Sequence, residues 1–282
     1  MNGMLLIDKS AQMTSFEVIA KLRRISGQKR IGHTGTLDPQ ATGLLIVLMG
    51  TATKLVPFLD YQEKYYDAVI QFGLASDTYD LEGKIIEYPD ERIPTISEIN
   101  EIIPTFLGQQ TQYPPIYSAI KVNGKKLYEY ARKDQEVTIK PRTVEIMKIE
   151  VIDYADRKLK LKIACGKGTY IRSLAHDLGQ KLGVHSLLAS LRRTRIGNYK
   201  VEDAYKLENL PPLSAGIRLF TPYEILSDQT VIDYPDRTKI LNGMKIKLDC
   251  TEKNIFVSNQ KEIIAAYTLK EDGYYHCVRG LR

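Results

Sequence analysis

The sequence predicts a mixed α/β (α+β) body followed by a small all-β module. Three observations carry that expectation. Stretches of strand-like alternation, at 65–72 and 158–165, are interleaved with stretches of helical spacing that begin at Thr14 and Thr169. From about Thr230 the pattern changes to short strands separated by turn residues. The length, 282 residues, suits one large domain plus a small one.

Taken in order, residues 4–8 form a short apolar strand. Thr14-Ser15-Phe16-Glu17 fits a capping box, Val18, Ile19, Leu22 and Ile25 follow at helical spacing, and Gly27 is a stop signal. Residues 29–43 read as a loop carrying Gly32, Gly35, Pro39 and Gly43, which feeds a wholly apolar strand at 44–49. Such a loop is a common seat of chemistry, because the strand fixes it and the loop presents the groups. In 65–72, Tyr66, Ala68, Ile70 and Phe72 share one face, with Tyr65, Asp67 and Gln71 on the other. A turn-rich connection (73–83) leads to a returning strand at 84–88, and 97–107 reads as a helix. Residues 109–141 are long, polar and irregular, with Pro114-Pro115 near the start and a short helix over 125–132.

In 158–165, Leu159, Leu161 and Ile163 alternate with Lys158, Lys160 and Lys162, and the lysine row reads as a solvated sheet face ahead of a nucleic-acid stripe. Gly166-Lys167-Gly168 turns the chain. Thr169 then caps a helix that turns Ile171, Leu174, Ala175, Leu178 and Leu182 inward and stops at Gly183. Pro211-Pro212 opens a linker. Beyond it, turns at Asn242-Gly243, Ser258-Asn259 and Asp272-Gly273 mark a small β barrel or sheet. Some fifty residues of this kind are marginal alone, so the module is expected to dock on the body.

Composition bounds the function classes. Apolar residues are 43% and charged residues 26%, which excludes wholesale disorder, collagen and coiled coil. At this mass a compact fold exposes about 12,000 Å² of the roughly 46,000 Å² of its unfolded chain. The longest apolar run, 44–49, falls far short of a membrane span, and Asp8 interrupts any signal-peptide core. Forty Lys and Arg against 34 Asp and Glu leave a net charge of +6, a modest excess that suits a polyanionic partner. Cys165, Cys250 and Cys277 form neither a disulfide framework nor a zinc pattern, pointing to a reducing cytoplasm. His33, His176, His185 and His276 lack metal-ligand spacing, so no metal is expected.

The candidate chemistry lies in Gly32-His33-Thr34-Gly35-Thr36-Leu37-Asp38-Pro39-Gln40-Ala41-Thr42-Gly43. The proline biases Asp38 toward extended backbone, and flanking glycines permit close approach of a ligand. An Asp so placed suits a nucleophile or general base; taken alone, it is as readily a turn residue. The loop is not a Walker A, because no G-K-[ST] closes it.

The whole string resembles the signature of the TruB family, the bacterial tRNA pseudouridine-55 synthases. The resemblance continues through Lys64-Tyr65-Tyr66, Ser76-Asp77-Thr78-Tyr79-Asp80, Tyr117-Ser118-Ala119-Ile120-Lys121, Gly124-Lys125-Lys126-Leu127-Tyr128, Lys167-Gly168-Thr169-Tyr170-Ile171-Arg172 and Leu191-Arg192-Arg193, colinear from about residue 4 to residue 200. One departure is visible. The family opens Asp-Lys-Pro, then Gly, then Thr-Ser, where this chain has Asp8-Lys9-Ser10-Ala11-Gln12-Met13-Thr14-Ser15, which leaves the shape of the first turn open.

The resemblance implies the pseudouridine synthase fold: a largely antiparallel mixed sheet with flanking helices at 1–225, an RNA-gripping insertion at about 110–141, and a PUA-like β module at 226–282. It implies isomerisation of uridine to pseudouridine at position 55 in the tRNA T-loop, with base flipping and no cofactor. Asp38 matches the catalytic aspartate. Tyr66 would stack on the base and offer its hydroxyl, and Arg172 would pair with Asp38 and keep it ionised. Without the motif, Tyr66 reads as core and Arg172 as a surface residue of an amphipathic helix. Tyr170 and Leu191 match the walls of the base pocket, with Gly32 and Thr36 on the substrate loop. Lys9 supports the site, and His33 matches the residue that fills the space the base vacates. Lys121, Lys125 and Lys126 would meet phosphates, interleaved with Tyr117, Tyr128 and Tyr130. Asp80 is placed in a turn near the cleft, holding backbone or an arginine. The expected partner is tRNA alone, with no membrane, no obligate protein partner and a monomeric state. Two rivals stand: a non-catalytic tRNA-binding or RNA-folding protein using the same cleft, and a hydrolytic nucleoside glycosidase.

Overall fold

The structure is a computed structural model that describes residues 1–59, 63–210 and 216–281. The body begins with β1 (Gly3–Lys9), α1 (Ser15–Ser26), β2 (Ile31–His33), β3 (Thr42–Met49), α2 (Val56–Leu59) and β4 (Lys64–Phe72). It continues through β5 (Leu74–Ala75), β6 (Ile86–Glu87), α3 (Ile96–Ile102), β7 (Gly108–Gln112), β8 (Lys121–Val122), β9 (Lys125–Lys126) and α4 (Leu127–Ala131). Then come β10 (Arg142–Ala155), β11 (Lys158–Cys165), α5 (Ile171–Leu182), β12 (Ser186–Ile196), β13 (Tyr199–Lys200) and β14 (Tyr205–Lys206). The C-terminal part holds α6 (Pro222–Ile225), β15 (Val231–Asp233), α7 (Arg237–Leu241), β16 (Asn254–Asn259), β17 (Glu262–Leu269) and β18 (Tyr275–Gly280).

The main sheet runs β14-β1-β3-β12-β4-β11-β10-β7, with β2 and β13 attached to β3 and β12. Its pairs are antiparallel except β1–β14 and β12–β3. The β12–β3 contact is short, Arg192 opposite Thr42 and Arg193 opposite Gly43. Gly43 is needed there: its φ is 101°, and a Cβ would lie 2.2 Å from the Arg193 carbonyl. The two halves of the sheet therefore meet at one narrow seam, and the loop before β3 lies at that seam.

Why these elements form is plain from the residues. Thr14 and Glu17 complete the expected capping box on α1, and Gly27 closes it at φ 66°. β1 and β3 are apolar on both faces because both are covered. Leu5, Ile7, Leu45 and Val47 pack on α1, while Met4, Leu6, Leu44 and Ile46 pack toward the C-terminal module. β4 and β11 alternate as expected, with Tyr66, Ala68, Ile70, Phe72, Leu159, Leu161 and Ile163 in one core with α5 and α3. Among the described residues no helix is long and apolar enough to cross a membrane.

Several expectations need correction. The helix at 97–107 is α3 followed by a 3-10 turn, Ile103–Phe106, because Pro104 supplies no amide to continue it. The returning strand at 84–88 is only two residues long. Segment 109–141 is less irregular than expected: it opens with β7, paired along β10, and then folds a hairpin over Asn123 and Gly124, both at positive φ. Lys125 and Lys126 belong to that hairpin, so the short helix begins at Leu127. β10 was not anticipated at all. The α5 N-cap is Tyr170 rather than Thr169, whose hydroxyl bonds back to Gly166. Asn242-Gly243 ends α7 and is not a hairpin turn, and the turn placed at Ser258-Asn259 falls at Gln260 and Lys261. The Pro211-Pro212 linker lies outside the described residues.

The module is a four-stranded sheet, β15-β16-β17-β18, with α7 packed on it. It docks as expected, since Phe256, Ile263, Ala266 and Leu281 share a core with Met4, Leu6 and Leu48. The exposed area is 15183 Å², above the roughly 12,000 Å² of a single compact body of this mass.

Candidate active site

The loop between β2 and β3 is tied down on both sides of Asp38. The Ser15 hydroxyl, at the start of α1, donates to the Leu37 carbonyl (3.1 Å) and accepts from its amide (2.9 Å). On the other side, the Lys9 Nζ donates to the carbonyls of Pro39 (3.0 Å), Ser10 (3.0 Å) and Met13 (2.5 Å). Lys9 is 1% exposed, and burial pulls its ammonium down to about 8. In the first turn, where the family has a proline and a glycine, Gln12 takes a φ of 60° and Lys9 bonds the Ser10 and Met13 carbonyls.

Arg172, in the first turn of α5, reaches the aspartate. Its Nη2 donates to Asp38 Oδ1 (3.2 Å) and to the Tyr117 carbonyl (3.0 Å), and its Nη1 to the Thr78 carbonyl (3.1 Å). Its Nε lies 2.9 Å from Asp38 Oδ2 and 3.5 Å from Asp80 Oδ2 without being aligned to donate to either. Asp80 is fixed in turn by the Thr78 hydroxyl (2.5 Å) and the Glu82 amide (2.9 Å). The Arg172 side chain is 6% exposed and that of Asp38 38%. The guanidinium is thus a buried, fully oriented cation, and the carboxylate it holds still faces open space.

That space is a cavity of about 270 Å³ lined by Thr36, Asp38, Tyr66, Tyr170, Arg172 and Leu191. Six of the candidate residues therefore converge, brought by the β2–β3 loop, β4, the start of α5 and β12. Burial raises the Tyr66 and Tyr170 phenols above their ordinary range, so both are neutral hydroxyls. The cavity shares Asp38, Arg172 and Leu191 with a larger groove of about 700 Å³. Lys160 and Lys162, on the strand face expected to be merely solvated, border that groove beside Arg192.

Other candidates lie outside the cavity. Lys9, expected to support the site, holds the backbone beside Asp38 and is not among the residues that line the cavity. Gly32 and His33 sit on β2, paired to β3. Burial beside Arg193 lowers the His33 imidazole, and its Nδ1 has no hydrogen-bond partner among the described residues. Lys121, Lys125 and Lys126 occupy the β8–β9 hairpin. Lys126 Nζ bonds the Tyr128 hydroxyl (3.3 Å), and Lys125 lies over the Tyr130 ring.

Arg193, at the end of the Leu191-Arg192-Arg193 string, carries no sequence signal of its role. It is 1% exposed and donates to the carbonyls of Leu44 (2.7 Å), Gly35 (3.1 Å) and Thr36 (3.5 Å), bracing the loop from below. Gln112 was also missed. Its side-chain amide donates to the Tyr170 carbonyl (3.0 Å) and accepts from the Tyr170 amide (2.8 Å), replacing the cap that α5 lacks.

The N-terminal domain model of the TruB family pseudouridylate synthases matches residues 23–171, and the tRNA pseudouridylate synthase B C-terminal domain model matches 172–215. The tRNA pseudouridine synthase B of Caldanaerobacter subterraneus subsp. tengcongensis is 41% identical over 257 residues, 91% of this chain and 90% of the relative. That of Mesoplasma florum is 34% identical over 281 residues, 99% of this chain and 98% of the relative. Among solved structures, a Cbf5-Nop10-Gar1 complex aligns with a TM-score of 0.74 at 22% identity, over 99% of this chain and 85% of that chain, a likeness of fold.

Proposed function

The chain belongs to the TruB family of pseudouridylate synthases and isomerises uridine to pseudouridine in tRNA; from that premise we propose that it acts at position 55 of the T-loop, with Asp38 as the reacting carboxylate. One observation carries the assignment: the Asp38 carboxylate is held by buried Arg172 yet faces a cavity walled by Tyr66, Tyr170 and Leu191.

The reaction breaks N1–C1′, turns the uracil, forms C5–C1′, loses a proton from C5 and gains one at N1. Atoms balance within the nucleoside, so the work falls to positioning and electrostatics. The target base is flipped from the folded RNA, at a cost of a few kcal/mol in lost stacking. The Tyr66 ring, fixed on the apolar face of β4, stacks on it. Because burial keeps the Tyr66 hydroxyl protonated, it serves first as a donor. Arg172 pairs with Asp38 and orients it toward the sugar, with the Asp80 carboxylate 3.5 Å from the guanidinium Nε. Asp38 then acts by attack on C1′, by addition to the ring, or by taking a ribose proton; all three need this one carboxylate. His33 sits beside the loop, suited to brace the emptied stack.

In the same reading, the β8–β9 hairpin grips the T-arm through Lys121, Lys125 and Lys126. The segment 226–282 acts as a PUA-like unit on the acceptor side, and the enzyme works as a cytoplasmic monomer. Asp38→Asn tests the core of it. Release of tritium from 5-tritiated uridine in tRNA should vanish while tRNA affinity stays within a few-fold. Appreciable turnover by that variant removes Asp38 from the chemistry.

A further inference from the structure

Residues 113–118 form a strap across the mouth of α5. Ser173 Oγ holds the Tyr113 carbonyl (2.7 Å) and Arg172 Nη2 the Tyr117 carbonyl (3.0 Å). Ser118 ends this strap with both backbone groups satisfied, its amide by Ile116 (3.0 Å) and its carbonyl by the Tyr128 amide (3.2 Å). Its side chain is different. Ser118 is 5% exposed, yet its Oγ has no hydrogen-bond partner among the described residues. The residue lines the same cavity as Asp38, Tyr66 and Tyr170. It also lies close enough to the Tyr170 hydroxyl to influence it, without the alignment of a bond. A buried hydroxyl with no partner is costly, and a folded protein keeps one where something else supplies the partner.

We propose that the Ser118 hydroxyl donates a hydrogen bond to one ring carbonyl of the flipped uracil before the ring turns and to the other ring carbonyl after it. This rests on the isomerase reading above. The walls beside Ser118, namely Tyr170, Leu191, Ala119 and Ile171, suit the edge of a flat heterocycle. The chemistry makes a carbonyl the fitting target. Rotation of uracil about its N3–C6 axis exchanges N1 with C5, and in the same motion exchanges C2=O with C4=O. A donor fixed on either carbonyl therefore finds an equivalent oxygen before and after the turn. The buried donor is therefore satisfied at both ends of the rotation.

The test is single-turnover pseudouridine formation in unmodified tRNA transcript by Ser118→Ala, with Ser118→Cys as the weaker donor of similar size. Ser118→Ala should lower the rate constant 10- to 100-fold, with Ser118→Cys between it and wild type. The tRNA Kd should stay within twofold, and the thermal midpoint should be unchanged or raised, because an unsatisfied group has been removed. With 2-thiouridine or 4-thiouridine at the target, sulfur accepts poorly, so one of these should slow wild type more than Ser118→Ala. An unchanged Ser118→Ala rate overturns the proposal, as does a rate loss matched by a fall in thermal midpoint, or equal slowing of both proteins by both thio substrates. Failure of the wild type to convert the transcript overturns the isomerase reading instead.

Discussion

Asp38 is held at its backbone through Leu37 and Pro39 and at its carboxylate through Arg172, three constraints from three elements. The planar fork of Arg172 also bonds the Tyr117 and Thr78 carbonyls, so charge alone does not replace it. Arg172→Lys should therefore lower kcat by about 100-fold, the scale of a small misplacement of a reacting group. A kcat within threefold of wild type would show that the fork is dispensable. Gln12 supplies a second test at this scale. It is exposed and adopts a conformation that costs a side chain about 1–2 kcal/mol, against an entropic cost of roughly 0.5–1 kcal/mol for glycine. Gln12→Gly should stabilise the protein by about 0.5–1 kcal/mol in urea denaturation, whereas a loss of stability would mean that the turn depends on the glutamine side chain. The sequence exposes Asp38, Tyr66 and Arg172 through their motifs. It hides Arg193 and Ser118, because an arginine in a strand reads as solvent-facing and a serine in a loop reads as turn chemistry. Only carbonyls brought together from distant segments, or a missing partner, reveal their burial.

At the scale of elements, α1, β3, β4, β11 and α5 are legible because each buries one face or both against a core, so periodicity survives in the residues. β10 is not, because it carries few buried residues beyond Val144 and Ile146 and pairs on its outer side with short β7. The β8–β9 hairpin is fixed by Asn123-Gly124 and by lysines over tyrosine rings, signals too local to distinguish from a helix start. Replacing both Lys125 and Lys126 with Ala should weaken tRNA binding and reduce the slope of log Kd against log salt by on the order of 1–2. An unchanged slope would place the phosphate contacts elsewhere. The turn after β1 has a pH signature. Lys9 is pulled from its ordinary 10.5 to about 8, so between those values the fold binds fewer protons than the unfolded chain. Its contribution to stability rises with pH over that window. Wild type should gain stability relative to Lys9→Met between pH 8 and 10, and parallel curves would show that Lys9 is not buried as a cation.

The whole molecule is a sheet whose halves meet at the Gly43–Arg193 seam, with a module that completes the core of one half. Because Phe256, Ile263, Ala266 and Leu281 cover Met4, Leu6, Leu44, Ile46 and Leu48, the body does not end cleanly at residue 225. Each uncovered side chain forfeits up to about 1.5–3 kcal/mol of burial. Removing 226–282 should give a body that aggregates or melts well below the full chain, and an equally stable truncated body would deny the shared core. Composition suggested a docked module but not which strands it would cover, since apolar runs at 4–8 and 44–49 look the same whichever layer buries them. The central claim is that this assembly rearranges one uridine of tRNA. Incubation with unmodified tRNA transcript, followed by carbodiimide–primer extension mapping and mass measurement, tests it most directly. The account predicts a single new stop marking pseudouridine at position 55, abolished by Asp38→Asn, with RNA mass unchanged. A transcript without that stop, or one lighter by a base, would contradict it.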